Sequence, residues 1–328
     1  MRLLVGGKWQ DQWYETGKTG GRFVRKDVVF RNWVTADGAA GPSGEAGFKA
    51  ETGRYHLYVS LACPWAHRTL IFRKLKRLDD KISLTVVDPL MLEEGWTIGG
   101  EYPGTTPDGI NGKTRLYEVY QLAAPDYTGR VTVPVLWDKD RRTIVSNESA
   151  EIIRMLNSAF DGLAGVDASL DLYPEDLRSE IDRINALVYD RVNNGVYKAG
   201  FATAQNAYDE AVSALFDELD AIEERLSRQR YLAGGRITEA DWRLFTTLIR
   251  FDAVYYGHFK CNLRRIADYP ALSNYTRALY QVPGVAETVS IDHIKRHYYG
   301  SHRMINPTGI VPKGPILDFG APHDRTRL

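Results

Sequence analysis

The sequence predicts an α/β domain followed by an all-α domain. Two patterns carry this prediction. Residues 54–89 present a β-rich run, a stretch with helical spacing and a second β-branched run, and every periodic stretch after about Pro174 is helical. The length agrees, because 328 residues exceed the roughly 250–300 at which a single hydrophobic core stops growing.

The first fifty residues are rich in glycine and aromatics (Trp9, Trp13, Tyr14, Phe23, Phe30, Trp33) without a sustained period, and read as an irregular extension over residues 1–50. RYHLYVS (54–60), PWAHRTLIFRKLKRL (64–78) and ISLTVVDP (82–89) then form a βαβ pattern. That order predicts a parallel strand pair with a right-handed crossover. From about Glu93 to Arg130 the chain is rich in Gly, Pro and Thr and reads as a loop, too long for a simple connection and therefore a functional candidate. VPVLWD (133–138) and RRTIVS (141–146) read as a hairpin, and NESAEIIRMLNSAF (147–160) as a helix with Glu in its first turn. The α/β domain is thus expected over residues 51–162.

The helical domain is expected over residues 172–300. In AYDEAVSALFDELDAIEERL (207–226), Tyr208, Val212, Leu215, Leu219, Ile222 and Leu226 recur every three or four residues, making one apolar stripe. ITEADWRLFTTLIRF (237–251) opens with Thr238 three residues before Asp241, a carboxylate variant of the capping box that satisfies orphan amides at a helix start. ALSNYTRALYQ and VAETVSIDHIKRHYY complete the domain, and residues 301–328, with prolines and glycines but no period, read as an ordered or partly ordered tail.

Composition narrows the function. With 44% hydrophobic and 26% charged residues the chain has the make-up of a globular protein. Its 42 basic residues balance 42 acidic ones, so no net field favours nucleic acid or an anionic membrane, and the expected partner is a small molecule. The N-terminus MRLLVGGKWQDQWY reaches glycines and charges before a signal-type apolar region forms, and no apolar run of ~18 residues occurs anywhere. A cytoplasmic location is expected. Two cysteines make no disulfide framework, although a Cys63–Cys261 bridge stays open.

SLACPWAHRTL (60–70) holds the candidate chemistry. Pro64 suits the first helical position, where its missing N–H would be unpaired anyway, so Cys63 falls at the N-cap. Unpaired amides and the helix dipole there stabilise thiolate, the nucleophilic form, over thiol. The competing reading is a structural cysteine, since cysteine is among the most buried residue types. Strand, Cys-Pro and helix together favour the functional one. His67 lies four residues on, but the remaining histidines and Cys261 supply no further zinc ligands at recognisable spacing. No metal is expected, and His67 reads as packing or local hydrogen bonding. Cys261 has basic neighbours but no helix start, and reads as structural.

Ala66 stands where a dithiol enzyme keeps its second cysteine. A C-x-x-C pair resolves its own mixed disulfide, whereas C-P-W-A must wait for an external thiol, for which glutathione is the abundant candidate. The Val133–Pro134 step in RVTVP could be cis and expose the Val133 backbone for strand-like pairing with a peptide ligand. Glu148 and Ser149 open a helix, where amides and a hydroxyl suit a carboxylate and the Glu side chain an ammonium. Ordinary capping explains that pair equally well.

CPWAHRTL, with GRVTVPVLWD, IVSNESAEII, NNGVYKAGFA and INPTGI, closely resembles the glutathionyl-hydroquinone reductases, the Xi class of glutathione transferases. The resemblance implies a thioredoxin-like N-terminal domain, an all-helical C-terminal domain and a homodimer. It implies glutathione as co-substrate and a glutathionyl-hydroquinone as substrate. The Cys63 thiolate would attack the substrate sulfur, release hydroquinone and form a mixed disulfide that a second glutathione resolves. Residue by residue, Cys63 matches the nucleophile, and Trp96, Arg130, Val133, Glu148 and Ser149 match the glutathione contacts. Tyr197 matches the proton donor to the hydroquinone carbon, a role that a phenol of pKa near 10 can fill. Tyr255 and Tyr298 match tyrosines that line the acceptor pocket and help hold the thiolate. Nothing in the spacing of these tyrosines is diagnostic by itself. A thioltransferase or dehydroascorbate reductase would share the nucleophile, and a non-enzymatic glutathione-binding protein would share the fold.

Overall fold

The computed structural model describes residues 3–328, and no helix among them is long and apolar enough to cross a membrane. The chain forms two compact units. One comprises the N-terminal segment to Trp13, Lys26–Asp171 and Thr288–His297, and the other Tyr14–Arg25, Leu172–Glu287 and Tyr298–Leu328. The N-terminal extension therefore contributes to both.

In the first unit, strands β1 (Leu3–Val5) and β2 (Lys8–Gln10) pair antiparallel. The βαβ pattern follows as β3 (Tyr55–Val59), α1 (Pro64–Leu75) and β4 (Ser83–Val86), with β3 and β4 parallel in the register Val59↔Val86. The segment read as one loop from Glu93 to Arg130 is more structured than that. Strand β5 (Met91–Leu92) leads into it, and it contains β6 (Gly95–Trp96), α2 (Leu116–Ala123) and β7 (Gly129–Arg130). Helix α2 buries Leu116, Val119 and Tyr120, a true helical face, but one eight residues long and too short to show a period in the usual window of about 11–18. Strand β7 pairs with β1, so the extension is less irregular than its composition suggests.

Strands β8 (Val135–Asp138) and β9 (Thr143–Ser146) form the expected hairpin, and the main sheet has the order β4-β3-β8-β9. Helix α3 (Ser149–Ser158) follows. The extension runs beside β9, where Asn32 N donates to Val145 O at 2.9 Å and Arg31 is ion-paired with Glu151.

The second unit is helical, as predicted. It contains α4 (Arg178–Leu187), a π-helical turn (Val188–Asn193), α5 (Gly195–Gly200), α6 (Gln205–Arg228) and α7 (Glu239–Arg250), with a second π turn at Phe251–Tyr255. Helix α8 (Pro270–Tyr280) follows, and α9 (Ile291–Ser301) belongs to this unit from Tyr298 onward. The α6 stripe is buried from Val212 to Leu226, while Tyr208 is half-buried and donates its hydroxyl to Lys260 O at 2.6 Å.

Every residue of α7 is buried, and the capping box read from Thr238 and Asp241 is present. The Asp241 carboxylate accepts from Thr238 N at 2.8 Å, Leu232 N at 2.9 Å and Tyr275 Oη at 2.7 Å. A buried carboxylate is tolerated only when its oxygens are satisfied in this way. At the chain end, buried Arg325 donates to the carbonyl of Leu226 in the last turn of α6, an orphan acceptor, and to those of Gln229 and Arg230 just beyond the helix. The tail is tied down there.

Two buried histidines make stability depend on acid. Burial lowers His56 and His258 from the ordinary 6.5 to about 4, and His56 is held between Ser83 Oγ at 2.7 Å and Thr85 Oγ1 at 2.9 Å. Between those pH values the unfolded chain binds protons that the folded chain does not, so stability falls as pH falls. Urea unfolding between pH 7 and pH 4 is expected to lose on the order of 3 kcal/mol per histidine, and His56→Gln should flatten part of that slope.

Candidate active site

The sheet topology gathers most of the sequence candidates of the first unit. The pairs Val59↔Val86, Tyr58↔Val135 and Leu136↔Ser146 place the carboxyl ends of β3, β4 and β9 beside the start of β8. Cys63, Val133, Glu148 and Ser149 all leave the sheet at this edge, the side where α/β sheets bind ligands.

Cys63 has extended backbone (φ −78°, ψ 122°) and is the N-cap of α1, with Pro64 at the first helical position. Its carbonyl accepts from His67 N at 3.0 Å, and its thiol donates to Val133 O at 3.5 Å. The Val133–Pro134 peptide is cis. Helix α1 buries its next turns, from Ala66 to Phe72, and the half-buried thiol stands at its amino end. His67 is fully buried and bonds Thr288 Oγ1 at 2.8 Å, a contact far along the chain rather than a local one. Cys261 is fully buried, and burial pushes its thiol far up, outweighing the opposing effect of Lys260.

Glu148 is the N-cap of α3 and accepts from Ala150 N at 3.0 Å. Ser149 is buried, and its hydroxyl lies 3.4 Å from Arg68 Nη1. Arg68 escaped the sequence reading. It is 1% exposed and stacks over Trp65, 4.5 Å from the ring centroid. Its signal was a lone arginine on the apolar side of α1. Tyr120 was hidden in the misread loop. Its buried hydroxyl donates to Thr132 O at 2.8 Å and accepts from Asn147 Nδ2 at 3.0 Å. Each partner adjoins a candidate residue, Val133 or Glu148, so one phenol sets the spacing of two backbone segments.

Trp96 is buried and stacks on His297 with ring centroids 4.8 Å apart, and His297 Nδ1 donates to Pro89 O at 2.9 Å. Arg130 donates to the carbonyls of Gln12 at 2.5 Å and Trp13 at 3.2 Å. In this structure its guanidinium holds the extension.

The second unit brings the three tyrosines together. Tyr298 Oη lies 2.5 Å from Tyr197 Oη and 2.9 Å from Tyr255 Oη, and all three rings are buried. Burial first, and then the neighbouring Tyr197, push Tyr255 and Tyr298 well above the ordinary phenol value, so both stay protonated at neutral pH. Phe259 packs over α5 at Gly200, where a Cβ would meet its ring at 2.2 Å. Any larger residue there would displace the aromatic floor of the cluster. Among the described residues, no group of three or more His, Cys, Asp or Glu is arranged to hold a metal ion.

Sequence models of the glutathione S-transferase N-terminal and C-terminal domains match residues 62–159 and 205–278. Glutathionyl-hydroquinone reductase YqjG of Escherichia coli strain K12 is 59% identical over 99% of this chain and 98% of its own length. The chain belongs to the Xi class of glutathione transferases. Glutathionyl-hydroquinone reductase PcpF of Sphingobium chlorophenolicum is 55% identical over 96% of each chain. The glutathione-bound structure of YqjG superposes with a TM-score of 0.92 at 56% identity, covering 99% of both chains. An Xi class transferase from Natrialba magadii superposes with a TM-score of 0.91 at 50% identity, over 100% of this chain and 97% of that one. The first unit carries the thioredoxin-like N-terminal domain and the second the all-helical C-terminal one.

The contrast between the two thiols is directly measurable. Iodoacetamide on the native protein is expected to alkylate Cys63 at least ~100-fold faster than Cys261, because only an accessible thiolate reacts. Peptide mass spectrometry after short exposure reads the ratio, and comparable labelling of both would contradict the assignment of Cys261 as structural.

Proposed function

We propose that this protein reduces glutathionyl-hydroquinones to hydroquinones at the expense of glutathione. Cys63 at the N-cap of α1, with Ala66 where a resolving thiol would stand, is the observation that carries the reading. A single activated thiol can take a glutathionyl group from a carbon, but it cannot release that group without a second thiol.

In the first step the Cys63 thiolate attacks the substrate sulfur. The carbon–sulfur bond breaks, its electron pair goes to the ring carbon, and Tyr197 protonates that carbon. The products are hydroquinone, a Cys63–glutathione disulfide and a Tyr197 phenolate. In the second step a glutathione thiolate attacks the disulfide, giving oxidised glutathione and regenerating the Cys63 thiolate. The proton lost by that glutathione balances the one taken from Tyr197. We assign Val133, Glu148, Ser149, Trp96 and Arg130 to the glutathionyl group: the Val133 backbone to its peptide, the amino end of α3 to a carboxylate and the Glu148 side chain to its ammonium. We assign Tyr255 and Tyr298 to the hydroquinone part of the substrate, as neutral phenols. We place the enzyme in the cytoplasm as a homodimer, consistent with its family and with two cysteines that make no disulfide framework.

Turnover of a glutathionyl-hydroquinone with glutathione should yield hydroquinone and oxidised glutathione in equal amounts, and Cys63→Ala should abolish both. Tyr197→Phe is expected to slow hydroquinone release by about 100-fold, the scale of a lost general acid, with little change in glutathione affinity. Undiminished turnover in Cys63→Ala, measured by chromatography of both products, would sink the mechanism.

A further inference from the structure

We propose that Arg25, on the N-terminal extension, is a positioning residue for the proton donor: its guanidinium holds the Tyr197 ring and stabilises the phenolate that forms when the proton leaves. The inference rests on the role given to Tyr197 above. The Arg25 guanidinium carbon lies 5.1 Å from the centroid of the Tyr197 ring and 5.5 Å from that of Phe23. Arg25 Nε donates to Asn194 Oδ1 at 2.9 Å, and Asn194 is buried. Asn194 in turn accepts from Tyr197 N at 3.0 Å and Lys198 N at 2.7 Å through its own carbonyl. One residue therefore fixes both the guanidinium and the helical turn that carries the phenol.

A cation within about 6 Å of an aromatic face is attracted by the ring quadrupole. Once the phenol is ionised the ring carries a full negative charge, so the attraction grows as the proton moves to carbon. An interaction that strengthens along the reaction lowers the barrier rather than merely tightening binding. Tyr255 and Tyr298 are neutral, and His258 is lowered to about 4 by burial. His302 lies against His258 at 3.2 Å, Lys198 is ion-paired with Asp190 at 2.5 Å, and Arg250 donates to Thr246 O at 2.8 Å while its charge favours ionisation of Tyr255 and Tyr298. Of the cations named, Arg25 is the one stacked on the Tyr197 ring.

The test is the pH profile of single-turnover hydroquinone release from 2-glutathionyl-1,4-hydroquinone, run anaerobically with the wild type, Arg25→Gln, Arg25→Lys and Tyr197→Phe. The alkaline limb reports loss of the donor proton. Arg25→Gln is expected to lower the plateau about tenfold and move that limb up by about one pH unit, because an unsupported phenolate forms less readily. Arg25→Lys should keep the limb close to the wild-type position. The substrate's own ionisation is identical in every variant, so a moved limb belongs to the enzyme. A lower plateau with an unmoved limb, or a Lys variant no better than Gln, would overturn the role of Arg25. If Tyr197→Phe releases hydroquinone undiminished, the reading of Tyr197 fails and takes this inference with it. If Tyr197→Phe is slow but Arg25→Gln leaves the limb in place, only the inference fails.

Discussion

The amino end of α1 is the feature on which the rest of the first unit depends. A helix start leaves amides without intrahelical partners, and here the residue at that position is a cysteine, followed by a proline that has no amide to offer. Everything around it keeps that end in place. The parallel pair of β3 and β4 brings the chain up to the sheet edge, α1 buries its apolar face below the first turn, and Tyr120 holds Thr132 and Asn147 so that Val133 and the start of α3 arrive at the same edge. A thiol at a buried helix start would be costly to ionise. One at an open start gains from the dipole. The contrast with Cys261, buried and pushed far up, shows the same residue type under the opposite constraint.

The second unit solves a different problem, how to keep several phenols in an apolar interior. Buried hydroxyls must find partners, and these tyrosines find one another, with Tyr298 at the centre. Two π turns help arrange them. Asn194 N donates to Tyr189 O at 2.9 Å and Tyr256 N to Phe251 O at 2.8 Å, each an i→i−5 bond that shifts the residues after it out of α register. Such turns recur at functional sites because they re-aim side chains without ending the helix. On the proposed reaction, a chain of neutral donors ending at Tyr197 supports the phenolate that the first step leaves behind.

How much of this was legible in the sequence depended on how local each signal was. The βαβ order, the Cys-Pro helix start, the β8–β9 hairpin and the Thr238–Asp241 cap all lie within a few residues, and all are present in the structure. Helix α2 was missed because it is short and embedded among glycines and prolines, and with it went Tyr120. The buried place of Arg68 and the seat of Arg25 beside Asn194 depend on residues brought together from distant parts of the chain, which periodicity cannot report. The tyrosines became candidates by family resemblance alone. Their spacing is that of ordinary core aromatics, and only the folded chain turns them into a hydrogen-bonded set.

The central claim is that one thiol takes a glutathionyl group and cannot pass it on unaided. Mixing the protein with a glutathionyl-hydroquinone in the absence of free glutathione tests it most directly, with intact-protein mass and released hydroquinone followed together. The account predicts a single burst of one hydroquinone per chain and a stable gain of one glutathionyl group, mapped to Cys63, that disappears when glutathione is added. Continued release without added thiol, or a burst that leaves Cys63 unmodified, would contradict it.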